Sequence, residues 1–302
     1  MTMPRVGISL PHVEPLAGAN TIAELARAAE CFGYHAVSVS ERLLLPVRDD
    51  WSNDAGLPDA YVWDPIEVLT WAAAHTARVR LVTGIVNAIF QSPVILARRL
   101  ATLDQLSHGR VDAGIGQGGG GSAATSYLIP EEFAAAGVPL DRRGAGFVEH
   151  IRAMRACWGP DPVEFDGEHY HIPRSTVGPK PYGTTIPLLL GAMVRTTIER
   201  AARLGHGFVT VAVDWDDARA RIRWYRDAGG TGPVVVNTLQ RYPDDAPVTP
   251  AAFTDAVFPD YARAAEVGAD EIHVTLNLAS VPPDRQIDLY GVLAEKIGLT
   301  SP

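Results

Sequence analysis

The chain has 302 residues, 47% of them hydrophobic and 20% charged, as in an ordinary globular enzyme with enough apolar mass for a large core. Its net charge of −9, with lysine and arginine scattered rather than clustered, argues against a nucleic-acid or anionic-membrane partner. The two cysteines, Cys31 and Cys157, offer neither a disulfide framework nor a CxxC site and suit a reducing cytoplasm. The longest apolar stretch, "IPLLLGAMV", is too short to span a bilayer, and the opening "MTMPRVGISLPH" does not read as a signal peptide.

Short β-rich runs alternate with amphipathic ones along the chain. Strand 5–10, "RVGISL", is followed by helix 21–33, which has an N-terminal threonine, apolar spacing near the helical repeat and a closing glycine. Strand 36–41 leads into a long loop at 42–63. Helix 64–76 opens with Asp64 as cap and Pro65 at its first position, and strand 80–86 follows. Helix 92–109 repeats that grammar with Ser92, Pro93 and a final Gly109, ahead of strand 110–116. An extended stretch, 117–140, precedes a helix beginning near Asp141, and residues 159–186 form a short hairpin and a proline-rich run. Strands 187–192, 207–213, 233–239 and 271–277 complete a set of eight, several of them apolar throughout, as parallel strands covered on both faces are. Eight strand–helix units predict an α/β fold, a (β/α)8 TIM barrel in one domain over 1–302, with insertions after strands 2 and 4 and before strand 5. A doubly wound sheet is the alternative. In a barrel the loops after the strands meet at the C-terminal mouth, where active sites sit.

The stretch "GIGQGGGGSAA", 114–124, spells the dinucleotide fingerprint through Gly114, Gly116 and Gly119. That fingerprint needs a helix to begin at once, after the first strand of the fold, and an acidic residue about 20 positions on. Here Gly118 to Gly121 are consecutive and the strand is the fourth, and no lysine precedes the serine as a P-loop requires. Two readings remain: a flexible linker, or glycines that let the backbone approach a planar cofactor at the barrel mouth.

Several strings, in one order, resemble those of the bacterial luciferase-like flavin and deazaflavin oxidoreductases, in particular the actinobacterial type using coenzyme F420. They are "AAECFGYHAVSVSER" (28–42), "DPIEVLTWAAAHTARVRLVTGIV" (64–86), "ILARRLATLDQLSHGRVDAGIGQG" (95–118), "AAGVPLDRRGAGFVEHIRAMRACW" (135–158), "FDGEHYHI" (165–172), "GPKPYGTTIPLLLGA" (178–192) and "IERAARLGHGF" (198–208). The resemblance implies the same barrel, with a tricyclic ring across its mouth against a bulge ending strand 3, often with a non-proline cis peptide, at Thr83, Gly84, Ile85 and Val86. It implies a phosphate-bearing tail held after strand 5 at Gly191, Ala192 and Met193, near a helix starting about Arg195, where backbone N–H groups and the dipole favour an anion. Gly116, Gln117, Gly118 and Asn87 complete the expected cofactor contacts. Relatives are often dimers, so a homodimer is a further expectation.

Two residues are candidates for proton chemistry. Glu41 ends strand 2 where relatives carry an acidic residue before a histidine; here Arg42 follows, and Glu41 is either a solvated strand end or a group facing the site. His12 is either a satisfied loop residue or the acid of the site, its ordinary pKa of roughly 6.5 suiting acid–base work. Sugar-phosphate dehydrogenases of the family carry a glutamate proton donor where this chain has Gln117, Gly118 and Gly119, and glutamine transfers no proton at neutral pH. Gln91, beside Asn87, either lines the site or is a polar loop residue. Trp51, Tyr61 and Trp63 in the second loop either roof a ring or staple the loop. His169 and His171 share a strand face without a third ligand at suitable spacing, so no metal is expected. The implied activity is hydride transfer between F420 and an unidentified small organic substrate. The alternatives are an FMN-dependent monooxygenase and a non-catalytic flavin- or deazaflavin-binding barrel.

Overall fold

The computed structural model describes residues 2–53, 60–120, 128–239, 248–279 and 281–299. Gly121, the last of the glycine run, lies outside the described residues, as does the serine after it.

The strands are β1 (Arg5–Ser9), β2 (Ala36–Val39), β3 (Arg80–Asn87), β4 (Val111–Gly116), β5 (Val163–Asp166), β6 (His171–Ser175), β7 (Leu188–Gly191), β8 (Gly207–Ala212), β9 (Val234–Leu239) and β10 (Glu271–Thr275). The helices are α1 (Ala19–Cys31), α2 (Pro65–Ala73), α3 (Pro93–Leu106), α4 (Pro130–Ala135), α5 (Ala145–Trp158), α6 (Arg195–Leu204), α7 (Trp215–Asp227), α8 (Pro250–Val267) and α9 (Pro283–Ile297). Strands β5 and β6 form a separate antiparallel hairpin. The other eight close into a parallel cylinder in the order β1, β10, β9, β8, β7, β4, β3, β2, and β2 pairs back onto β1. This is the (β/α)8 barrel, and its strands are those read from the sequence, with ends moved by two residues at most.

Local chemistry sets the helix starts. Asp64 caps α2 by accepting the Ile66 N–H at 2.9 Å, with Pro65 next, as its position suggested. Ser92 precedes Pro93 in α3, but its side chain makes no capping hydrogen bond. Helix α5 starts at Ala145 rather than near Asp141. Residues Leu140–Arg142 form a separate 3-10 turn, and Gly144, at φ 75°, redirects the backbone before the helix can begin.

Alternation along the strands divides the core in two. Outward side chains such as Val37, Leu81, Phe208 and Val236 pack under the helices in one large cluster. Inward-facing Ala36, Val82, Leu189, Val209 and Val235 form a second, smaller cluster, with Ile85 packed against it. Nearer the strand starts the cylinder is polar: Arg80 pairs with Asp112, and Arg5 with the buried Glu271. The barrel is thus plugged below and apolar at mid-height, which leaves its upper mouth as the place for a cavity.

Gly114 shows how tightly β3 and β4 are joined, since a Cβ there would collide with the Thr83 carbonyl oxygen. Gly114→Ala is expected to cost about 3 kcal/mol in guanidinium unfolding. Gly183→Ala, where a Cβ meets nothing within 4 Å, is expected to change stability by less than about 0.5 kcal/mol.

Candidate active site

At the upper mouth β3 slips register with β4 between Thr83 and Val86, and the Gly84–Ile85 peptide is cis. Thr83 and Val86 anchor this bulge. Thr83 is wholly buried and its hydroxyl donates to the Gly114 carbonyl at 2.7 Å, while Val86 packs into the outer core. Neither side chain borders the cavity. Between them Ile85 swings across the mouth. A Cβ on Gly116 would overlap its Cδ1, and one on Gly191 would come within 2.7 Å. The close approach that Gly116 and Gly191 permit is thus made by the Ile85 side chain. Gly118 is also different from expectation. It stands at φ 79° with the Phe133 ring where a Cβ would go, and it does not border the cavity.

A cavity of about 350 Å³ opens over the bulge. Gly84, Ile85, Asn87, Gly116 and Gln117 border it from β3 and β4, and Gly191, Ala192 and Met193 from the end of β7. Arg195, expected nearby, instead stands exposed at the start of α6, bonded to Glu199 at 2.9 Å; Val194 and Thr197 border the cavity there. Trp63 and Tyr61 staple rather than roof. The Trp63 N–H donates to the His12 carbonyl and its indole to Glu14, and the Tyr61 carbonyl accepts from the Glu14 N–H.

His12 and Glu41 both border the cavity. His12 is 1% exposed; its Nδ1–H donates to the Leu10 carbonyl at 2.8 Å, and its Nε2 accepts from the Ser40 hydroxyl at 3.0 Å. Burial lowers its pKa to about 4 against smaller opposing effects of its bonds to the Leu10 carbonyl and the Ser40 N–H, so at neutral pH it is an uncharged, fully engaged imidazole. This environment does not support the charged acid anticipated for it. Glu41 bridges the bulge: its N–H donates to the Ile85 carbonyl at 3.1 Å and its Oε2 accepts from the Asn87 N–H at 2.6 Å. Burial raises its carboxyl to about 7, helped by the charges of Asp64 and Glu132 and opposed by the Asn87 bond and Arg99. It is the cavity carboxyl that changes charge near neutrality. Arg42, beside it, also borders the cavity, with its guanidinium paired to Glu132 at 3.1 Å.

Gln117 is fixed as an acceptor. Its Oε1 takes the Gly144 N–H at 3.1 Å and Arg200 Nη1 at 2.9 Å. Arg143 borders the cavity and donates to the Gly119 carbonyl at 3.1 Å. Neither arginine meets a carboxylate within ion-pair distance among the described residues. Sequence reasoning missed both, and also Ser9, Ser40, Asn237 and His273 on the cavity wall. The alternation of strands β1, β9 and β10 carried a signal for three of these, because polar residues at inward positions of a barrel strand need a reason to be there. Gln91 bonds Arg99 at 2.9 Å, and His171 pairs with Asp166 on the exposed hairpin.

Comparison with known proteins places the chain in a family. Residues 3–240 match the family described as luciferase-like monooxygenase, and the chain belongs to that family. An uncharacterized protein of Mycobacterium tuberculosis is 36% identical over 204 residues, covering 65% of this chain and 69% of that one. The F420-dependent glucose-6-phosphate dehydrogenase of Mycobacterium avium is 30% identical over 193 residues, 62% of this chain and 52% of its own length. Among solved structures, the monooxygenase RslO1 from Streptomyces bottropensis superposes with a TM-score of 0.73 at 25% identity, over 96% of this chain and 98% of its own. No helix among the described residues is long and apolar enough to cross a membrane.

The buried groups give pH dependences of opposite sign. His12 and His150, the latter lowered to about 3 by burial and Arg142, stay neutral in the folded chain while unfolded histidines protonate near 6.5. Stability therefore falls as pH drops from about 6.5 toward 4, by about 2 kcal/mol or more between pH 7 and 5 in denaturant titrations, with a shallower fall in His12→Asn. Glu41 holds its proton up to about 7 when folded but only to 4.5 when unfolded, so its contribution is complete below 4.5 and is lost through 7. Glu41→Gln is expected to gain on the parent by about 2 kcal/mol between pH 5 and 8, read from the same titrations.

Proposed function

We propose that this cavity holds the tricyclic ring of coenzyme F420 and that the protein transfers a hydride between it and a small organic substrate. The observation that carries the reading is the joining, in one cavity, of an apolar bulge at Gly84 and Ile85 with the start of α6 and an arginine, Arg143, that meets no carboxylate among the described residues. The first suits a planar ring. The second suits the ring's phosphate tail, because the first-turn N–H groups of a helix and a guanidinium bonded only to a neutral carbonyl both favour an anion. The F420-dependent relative supports the same choice.

The bound coenzyme supplies a ring carbon that carries two electrons as hydride and does not activate oxygen. The chain's own part is to bind, orient and manage protons. The bulge and Ile85 back the ring, and Thr197 with Arg143 holds its tail. Glu41, poised near neutrality beside the Asn87 N–H, holds or releases a proton at Oε1, the oxygen not engaged with Asn87. His12 keeps the loops after β1 and β2 together through Leu10 and Ser40. Gln117, with its Oε1 doubly engaged, gives no proton, so we infer a substrate other than a sugar phosphate. A second reading, an FMN-dependent monooxygenase, is favoured by the likeness to RslO1.

Titration with F420 and with FMN, following ring fluorescence, separates these readings. F420 is expected to bind with Kd on the order of 1 μM and FMN at least about tenfold more weakly. Arg143→Gln is expected to weaken F420 by about tenfold, the loss of one charge-assisted contact. Preference for FMN would favour the monooxygenase, and binding of neither would overturn the assignment.

A further inference from the structure

Glu271 and His273 stand two residues apart on β10, so both side chains point into the barrel, while Ile272 and Val274 belong to the outer core. They are 4% and 3% exposed, and Glu271 Oε1 lies 2.6 Å from His273 Nε2. The other carboxylate oxygen lies 3.3 Å from Arg5 and 3.5 Å from His35 Nε2. Arg80 and Asp112 are the remaining charges on this floor and pair with each other. The cluster runs from the lower mouth, where Arg5 is half-exposed, up to His273, which borders the cavity. Gly7 makes room for it, since a Cβ there would stand 2.6 Å from the imidazole.

Burial pushes the Glu271 carboxyl up, but the hydrogen bond from His273 and the nearby Arg5 guanidinium outweigh it and hold the group below the usual carboxylate range. A carboxylate only accepts hydrogen bonds, so Nε2 of His273 carries a hydrogen, and in the neutral ring Nδ1 is the lone pair. That Nδ1 is buried and has no hydrogen-bond partner among the described residues. Buried acceptors are nearly always partnered, so one beside a cavity calls for a donor from whatever fills it.

We propose that Glu271 and His273 form a proton-accepting dyad in the cavity floor, which takes the proton of a ligand hydroxyl. The proposal rests on reading this cavity as the substrate site. In the step the ligand's O–H bond breaks with its electron pair left on oxygen, and an Nδ1–H bond forms. The imidazolium so made faces the Glu271 carboxylate, which stabilises it and fixes the tautomer beforehand. His273 is the catalytic residue and Glu271 its positioning residue. His35, a quarter exposed, continues the line toward solvent.

Two measurements on the full chain without F420 or FMN test this. Nitrogen-15 NMR of the histidines, with His273→Gln for assignment, is expected to show His273 as the Nε2–H tautomer at neutral pH. In Glu271→Gln, where an amide replaces the acceptor-only carboxylate, that tautomer preference is expected to be lost. With 4-nitrophenol as the hydroxyl probe, the parent is expected to show the phenolate absorbance at a pH where the free probe is still protonated, and His273→Gln is not. Thermal melts confirm that each variant is folded. An Nδ1–H tautomer, no phenolate band in the parent, or an equal band in His273→Gln overturns the dyad. F420 binding that persists in that case leaves the proposed function standing, and lost F420 binding with an intact dyad removes only that function.

Discussion

The barrel mouth depends on one fit: the side chain of Ile85 lying in the space that glycines leave on β4 and β7. Gly116 and Gly191 lack the Cβ atoms that would strike it, and Gly114 lets the β3 backbone come against β4 at Thr83. Were any of the three larger, the bulge would have to straighten. Its backbone would then return to the regular ladder, and the cavity floor beside Gly84 would fill. Everything else at the mouth is arranged around this feature. Glu41 clamps it from β2 through the Ile85 carbonyl and the Asn87 N–H, and Thr83 ties it to β4.

The three levels of the barrel interior divide the labour. Ion pairs close the lower mouth, a small apolar cluster fills the middle, and a second set of polar groups gathers at the top. This ordering matters for electrostatics, because a titratable group above a dry middle layer is poorly solvated from below. Glu41 and His12 are shifted in opposite directions by the same cause, burial favouring the neutral form of each. One becomes a carboxyl that changes charge near neutrality, and the other an imidazole without charge. The His273–Glu271 pair is the exception that joins bottom to top, and it spans the apolar layer because each member neutralises part of the other's cost.

Much of this was legible in the sequence. The eight strands could be read because buried parallel strands are apolar on both faces, and helix starts such as Asp64–Pro65 are local chemistry. The bulge at 83–86 was legible only through resemblance, since "TGIV" carries no periodic signal. What escaped were pairings across long separations. Nothing in "GQGG" announces that Gly118 yields to Phe133, or that Gln117 meets Arg200 from 83 residues away. Arg195 was misplaced for a related reason: a residue at a helix start points in or out according to the helix's rotation on the barrel, which spacing alone does not set. His273 went unremarked because "EIHVTLN" reads as an ordinary strand until its inward face is known to border a cavity.

The most direct test of the central claim is a crystal structure of the protein soaked with F420. The ring is expected against Gly84 and Ile85, with the phosphate beside Arg143 and the first turn of α6. A ring bound away from the bulge, or Ile85 turned out of its glycine-lined space to admit it, would contradict the idea that this fit builds the site.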